Sequence, residues 1–422
     1  MNRCGLVIAA NLVALSSGCD VLFGVDFDDA LPASGGGGAV GTGGAGGGPG
    51  TGLGWTRLML LEEDEVPHAT TDFVRAIWCA SLDRCVVATE GDHFEPGNLY
   101  AANHLEVTAL LVDGDTVASD LAFSNLVPLR DGLAALVNRA EPLVMASEAF
   151  TDPTAWTLTE LGDLDSLEGA LNAQLWIGAG PDGSQLGLNN VVMTAPLPPG
   201  AGTLWSASWA PPTVPWNYFD LLQADPMICR GGPEATSRGP FGWVSADLGQ
   251  SIYPVGNGFG EERPGACVSL DGGGSYRLAP LPEGEVNVGG PHGLRCIDAG
   301  HCWMFGNGSV TEPAYVSHST GTLEAGLTWH RGKIPDGPER KLRNIAFAPD
   351  GVHGWLVGEE APGRGLLLAS DDGGATWSEN LVVDVADFDG VALLSVFALD
   401  EANVWVGGGQ GLIMSNGRPG RP

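Results

Sequence analysis

Loop carboxylates, a dense run of aromatics and eight cysteines are the residues of this 422-residue chain with chemistry to offer. A glycosidase needs two carboxyl groups at a set separation across the bond it cleaves, and Asp163, Asp165, Asp384 and Asp387 stand in segments that read as loops. The chain holds 51 Asp and Glu residues, so loop carboxylates are expected by number alone, and solvated charge accounts for these four. Among the histidines, His68, His93 and His353 have no nucleophile motif beside them, and G-x-S-x-G is absent. No catalytic residue follows from these patterns. The aromatic run is Leu204 to Leu222, LWSASWAPPTVPWNYFDLL, with Trp205, Trp209, Trp216, Tyr218 and Phe219 close together in a chain that averages 7% aromatic. Buried rings on two adjacent strands are one reading. A ligand platform of Trp205, Trp209, Trp216 and Tyr218 is the other. Pro211, Pro212 and Pro215 would then stiffen a loop that offers the Trp209 ring to a sugar face or an apolar side chain.

The cysteines divide by position. Cys4 and Cys19 fall in an N-terminal segment that opens with Met1-Asn2-Arg3, continues through an apolar run to Leu15 too short to span a bilayer, and ends in small residues. Residues 1–18 read as a signal peptide. The segment Leu15-Ser16-Ser17-Gly18-Cys19 resembles the lipobox of bacterial lipoproteins, which implies a lipid on Cys19. From Ser34 to Gly54 the chain is nearly all glycine, with almost no large side chain to offset its ordering entropy, so residues 19–54 are expected to form a flexible tether. Residues 55–422 are then one folded domain outside the cytoplasm, anchored in the envelope (periplasm or cell surface) and meeting the membrane only through the lipid. Six cysteines remain in that oxidising compartment. Cys79 and Cys85, as C-ASLDR-C, and Cys296 and Cys302, as C-IDAGH-C, each bracket a tight strand connection that brings them within disulfide reach. Cys229 and Cys267 are left to pair. No C-x-x-C or clustered His accompanies these residues, so no metal is expected there.

Charge narrows the partners. The formal net charge is −32, and only Lys333 and Lys341 are lysines among 19 basic residues. A nucleic-acid partner is disfavoured, because no Lys/Arg stripe exists to replace backbone counterions. An acidic excess of this kind most often gives a soluble, self-repelling surface. No D-x-[DN]-x-[DN]-G run provides an oxygen cage for calcium, and no cofactor motif is present.

The elements that position these residues come from internal repetition. Ser370-Asp371-Asp372-Gly373-Gly374-Ala375-Thr376-Trp377 fits S-x-D-x-G-x-T-W. Ser269-Leu270-Asp271-Gly272-Gly273-Gly274-Ser275-Tyr276 fits it with conservative changes. Ser269, Asp271, Gly273, Ser275, Tyr276 and Ser370, Asp372, Gly374, Thr376, Trp377 are thus structural positions. The Asp accepts backbone N–H bonds inside a hairpin turn, glycines take positive φ, and the aromatic caps an apolar layer. Both boxes resemble the Asp-box (BNR-like) repeats of β-propellers, the group that includes sialidases, some glycan hydrolases, sortilin-type receptors and photosystem assembly-factor propellers.

The resemblance implies an all-β propeller whose blades each have four antiparallel strands. Around the better box, Arg343 to Ala348, Gly354 to Gly358 and Gly365 to Ser370 alternate as three strands, with a fourth from Trp377. Looser copies run from Ala76 to Val112, through LVMASEAFTDPTAW to Trp156, through LWSASWAPPTVPW to Trp216, and from Leu294 to Thr328-Trp329. A repeat of about 40–50 residues is the propeller period. The last copy holds LLSVFA, NVWVG and GLIMS and then stops, while Trp55 has no blade before it. Trp55 is therefore expected to begin the missing strand and close the last blade. The count comes to about seven blades; six or eight stay open, because Leu121 to Pro240 is poorly periodic. A sialidase would add an arginine cluster, a Tyr/Glu nucleophile pair and an Arg-Ile-Pro near the domain start, and none of these is legible. The expectation is a monomeric, non-catalytic binding or assembly module with a protein or glycan partner at the envelope. A glycan-binding module and a glycoside hydrolase with an unrecognised site are the alternatives.

Overall fold

Strand runs such as Cys85-Val86-Val87-Ala88 are apolar on both sides, which suits sheets covered on both faces. A computed structural model of the chain shows how this is used. It describes residues 55–58, 73–90, 98–102, 107–110, 123–129, 132–137, 142–147, 149–160, 173–179, 185–192, 203–208, 217–220, 243–244, 250–255, 264–271, 275–282, 291–307, 313–337, 339–360, 364–379 and 391–416. All fall in one unit, Gly48–Pro422. Among them there is no helix, and every strand belongs to an antiparallel four-stranded sheet.

We number the sheets in chain order. Sheet I has Phe73–Ser81 (β2), Arg84–Glu90 (β3), Leu99–Ala102 (β4) and Val107–Ala109 (β5). Sheet II has Phe123–Leu129 (β6), Gly132–Val137 (β7), Pro142–Ser147 (β8) and Trp156–Glu160 (β9). Sheet III has Ala173–Ala179 (β10), Gln185–Val192 (β11), Thr203–Ser208 (β12) and Asn217–Asp220 (β13). Sheet IV has Trp243–Val244 (β14), Ser251–Val255 (β15), Gly265–Ser269 (β16) and Arg277–Pro280 (β17). Sheet V has Gly293–Cys296 (β18), Cys302–Gly306 (β19), Tyr315–Thr322 (β20) and Gly326–Arg331 (β21). Sheet VI has Arg340–Phe347 (β22), Gly354–Glu360 (β23), Arg364–Ser370 (β24) and Ser378–Glu379 (β25). Sheet VII takes Leu393–Asp400 (β26), Asn403–Gly408 (β27) and Ile413–Ser415 (β28) from the end of the chain, and its fourth strand, Thr56–Leu58 (β1), from the start.

The first strands of neighbouring sheets lie together: β2 touches β6 and β26, β10 touches β6 and β14, and β22 touches β18 and β26. Apolar clusters fill the layers between sheets. Trp303 and Phe305 of sheet V pack with Leu342, Ile345 and Phe347 of sheet VI. Trp355 and Val357 pack with Val396, Val404 and Val406 of sheet VII. Trp405 and Ile413 in turn pack with Val74, Ile77 and Tyr100 of sheet I. On β3 the alternation is visible residue by residue: Cys85 and Val87 join the layer toward sheet VII, whereas Val86 and Ala88 join the one toward sheet II.

The strands expected around the better box lie within two or three residues of those found, although β25 starts one residue after Trp377. Trp55 precedes β1 and packs, half-buried, on the cluster that holds Leu412 and Met414. β1 pairs antiparallel with β28, Thr56 opposite Ser415 and Leu58 opposite Ile413. Cys79 and Cys85 are opposite one another on β2 and β3, as are Cys296 and Cys302 on β18 and β19, and both pairs are disulfides. Cys267 is also disulfide-bonded; its expected partner Cys229 lies outside the described residues, as do Cys4 and Cys19.

Candidate functional site

At one end of the sheets, short turns are fixed by side chains. In Ser370–Trp377, Asp372 accepts from Thr376 N (2.8 Å), Thr376 Oγ1 (2.7 Å) and Ser370 Oγ (2.9 Å). Gly373 and Gly374 take φ of 72° and 89°, and a Cβ on Gly374 would stand 2.9 Å from the Trp303 ring. In the other box Asp271 accepts from Ser275 N (2.8 Å), Ser275 Oγ (2.7 Å) and Ser269 Oγ (3.0 Å); Gly273 lies outside the described residues. Burial acts to raise both carboxyls, but these bonds outweigh it and hold Asp271 and Asp372 below the usual carboxylate range. The capping aromatics are buried: Trp377 donates to Gly374 O (3.0 Å), and Tyr276 meets Tyr253 edge to face. The Leu294–Trp329 copy forms no box. Its hairpin closes through Leu323-Glu324-Ala325, and Trp329 Nε1 reaches across to Ala279 O (3.1 Å).

A second turn motif, unnoticed in the sequence reading, joins first to second strands. Asp298 accepts from Gly300 N and His301 N, Asp350 from Val352 N and His353 N, and Asp400 from Ala402 N and Asn403 Nδ2. The signal is D-x-x-[HN]-x-W, ending at Trp303, Trp355 and Trp405. Glu401 approaches the Asp350–His353 pair, but these groups are half to fully exposed, and the Asp350–His353 bond (2.6 Å) itself accounts for the geometry as a turn lock.

The charged groups of interest lie elsewhere, on the first strands. β2 bulges at Arg75, between pairs Val74–Thr89 and Ala76–Ala88. β22 bulges at Arg343, between Leu342–Gly358 and Asn344–Val357. An extra residue there turns its side chain out of the regular alternation. Each arginine is held by a carboxylate of the second strand at the matching place: Arg75 by Glu90, opposite Phe73, and Arg343 by Glu359 (2.7 Å), opposite Lys341. Lys341 Nζ is 3.7 Å from the same Glu359. Burial pushes the Arg343 guanidinium pKa down, Glu359 works against this, and the charge of Arg75 adds to the lowering, so the two arginines feel one another across sheet VII. Arg295, on β18, is exposed. Folding thus brings Arg75 and Arg343, 268 residues apart in the chain, within reach of one another's charge.

Of the aromatic run, Trp205 and Tyr218 stand directly opposite on β12 and β13. Trp209 and Trp216 lie outside the described residues, as do His68, His93, Asp163, Asp165, Asp384 and Asp387.

No family model and no curated protein matches this chain. Among solved structures it is similar to YCF48 bound to D1 peptide, at 14% identity and TM-score 0.53, covering 86% of this chain and 97% of that one. It is equally similar to YCF48 from Cyanidioschyzon merolae, at 14% identity and TM-score 0.53, covering 86% and 98%. Both are β-propeller proteins.

Proposed function

We propose that this β-propeller is a non-catalytic binding or assembly module that holds a segment of a partner protein at its axial face. The observation that carries the reading is the set of first strands: those of neighbouring sheets lie together, and three of them carry Arg75, Arg295, Lys341 and Arg343. That a similarly built propeller, YCF48, has been seen with a bound peptide supports a protein partner. In this reading the seven four-stranded sheets are seven blades, and β1 closes the ring by completing the last. The Asp-box turns, disulfides and inter-blade tryptophans then hold the first strands rigid, which lowers the ordering cost of binding. Anchoring is part of the same proposal: a lipid on Cys19 and a glycine tether to residue 54 would hold the propeller in the envelope.

A second reading, a glycan platform, is favoured by the aromatic density around the Trp205–Tyr218 pair. Capture from envelope extract with the whole chain as bait tests the first. A protein retained by the chain and lost on competition with its own peptides is expected; glycan release by the chain would replace the reading with a hydrolase. Cys19→Ser should move the protein to the soluble fraction, and a membrane-bound variant would remove the anchor.

A further inference from the structure

Folding sets two histidines side by side on the outer strands of sheet V. His318 on β20 and His330 on β21 are direct cross-strand partners. Their rings lie 5.5 Å apart, centroid to centroid, tilted by 31°. Strand alternation puts both on the face toward sheet VI: Val316, two residues before His318, packs in the layer shared with that sheet, whereas Trp329, beside His330, turns the other way to sheet IV. His330 is exposed and His318 half-buried. The Thr320 hydroxyl has the Thr328 carbonyl within reach as acceptor (3.5 Å), so its oxygen accepts from His330 Nε2 at 2.9 Å. That bond fixes the His330 ring and leaves its Nδ1 lone pair unused. His318 makes no hydrogen bond among the described residues, and its buried Nδ1 has no partner there, a cost that a ligand can recover.

We infer that His318 and His330 form a chelating site for a divalent transition-metal ion of the zinc and copper type. Imidazole nitrogen is a donor that suits these ions. Directly opposite residues of an antiparallel pair have Cβ atoms about 4.5–5.5 Å apart, a spacing from which each ring can turn one nitrogen to about 2.0–2.1 Å from a shared ion. The hairpin is paired from Ser317–Arg331 to Thr322–Gly326, so the two donors stand together before any ion arrives. Thr320 serves as the outer partner that orients a ligating ring. Burial first, then His330, lower the His318 pKa, and Asp372 of the adjacent Asp-box opposes them; that carboxylate is close enough to favour a cation at the ring. Two protein nitrogens leave the other positions of the ion to water or to a donor from outside the chain.

The test is calorimetric titration of the whole chain with zinc chloride and with calcium chloride, joined to the copper(II) electron paramagnetic resonance spectrum at one equivalent. His330→Gln is expected to weaken the tightest zinc binding at least about tenfold, since even outer partners of a metal are worth that much. Calcium, which takes oxygen ligands, should not distinguish the two chains. The copper spectrum should show coupling to two nitrogens in the native chain and lose it in His330→Gln. His353→Gln, which removes the imidazole of the Asp350–His353–Glu401 group, should keep both signals. If the metal-free melting curve shows that His330→Gln does not fold, zinc protection of His330 in the native chain against diethyl pyrocarbonate, mapped by peptide mass, reads the same contact. Full zinc affinity in a folded His330→Gln, its loss in His353→Gln instead, or His330 modified as fast with zinc as without it overturns the site.

Discussion

Ser395 Oγ donates a 2.9 Å hydrogen bond to the carbonyl of Val74, which lies 321 residues earlier in the chain. Both residues are buried, and beside them a Cβ on Gly407 would collide with the Val74 side chain. The last sheet and the first thus meet at a bond and a close approach, and neither tolerates change. Ser395→Ala should cost about 1 kcal/mol by leaving a buried carbonyl unpaired. Gly407→Val should cost about 1–3 kcal/mol or more through overpacking. Denaturant unfolding measures both; no change in either would mean that the two sheets are apart in solution.

Deleting residues 55–58 removes β1 and the Trp55 ring together, leaving β28 without its partner. A loss of at least about 3 kcal/mol is expected, in line with removing a large packed aromatic. An unchanged melting curve would show that sheet VII is complete without the N-terminal strand.

Asp271 and Asp372 predict an acid limit. Their carboxyls titrate below the usual range in the folded protein, so their bonds contribute above the unfolded carboxyl pKa of about 3.9 and are lost as pH falls through the folded values. Melting temperature followed from pH 5 to pH 2 should drop more steeply for the native chain than for Asp372→Asn, which already lacks the charge-assisted bonds at pH 5. Parallel curves would deny the turn this role.

Trp303 and Trp405 occupy matched places and differ in one bond. Trp303 Nε1 donates to Gly373 O of the next sheet's box (2.8 Å) and its ring stacks on Phe347. Trp405 is fully buried, but its neighbouring sheet I has no box, and its Nε1 finds no partner among the described residues. Trp303→Phe should therefore cost about 1 kcal/mol more than Trp405→Phe in denaturant unfolding. The reverse order would mean that the box carbonyl does not clamp the joint.

Strand positions near the boxes were legible because each combines local turn chemistry with apolar alternation, two signals that agree over Leu342 to Trp377. The aromatic run was legible as strands but not as site or core, since burial of Trp209 depends on what crosses it. The bulge arginines, Arg75 and Arg343, were not legible for a different reason. Arg75 and Glu90 are fifteen residues apart, Arg343 and Glu359 sixteen, and each pair is meaningful only once a bulge moves the arginine out of the strand's two-residue period. Aligning Val74-Arg75-Ala76-Ile77 with Leu342-Arg343-Asn344-Ile345 would have exposed the match. The Asp298, Asp350 and Asp400 turns carry a local signal of the same kind, D-x-x-[HN]-x-W, weaker than the box because it fixes only three positions in six.

Whether the propeller holds a protein segment or a sugar is decided by exposing the whole chain to a peptide array and a glycan array side by side. Saturable binding to a subset of peptides, with no glycan retained and no sugar released, is the predicted result. Selective glycan binding that disappears in Trp209→Ala while the melting curve is unchanged, with no peptide bound, would contradict it.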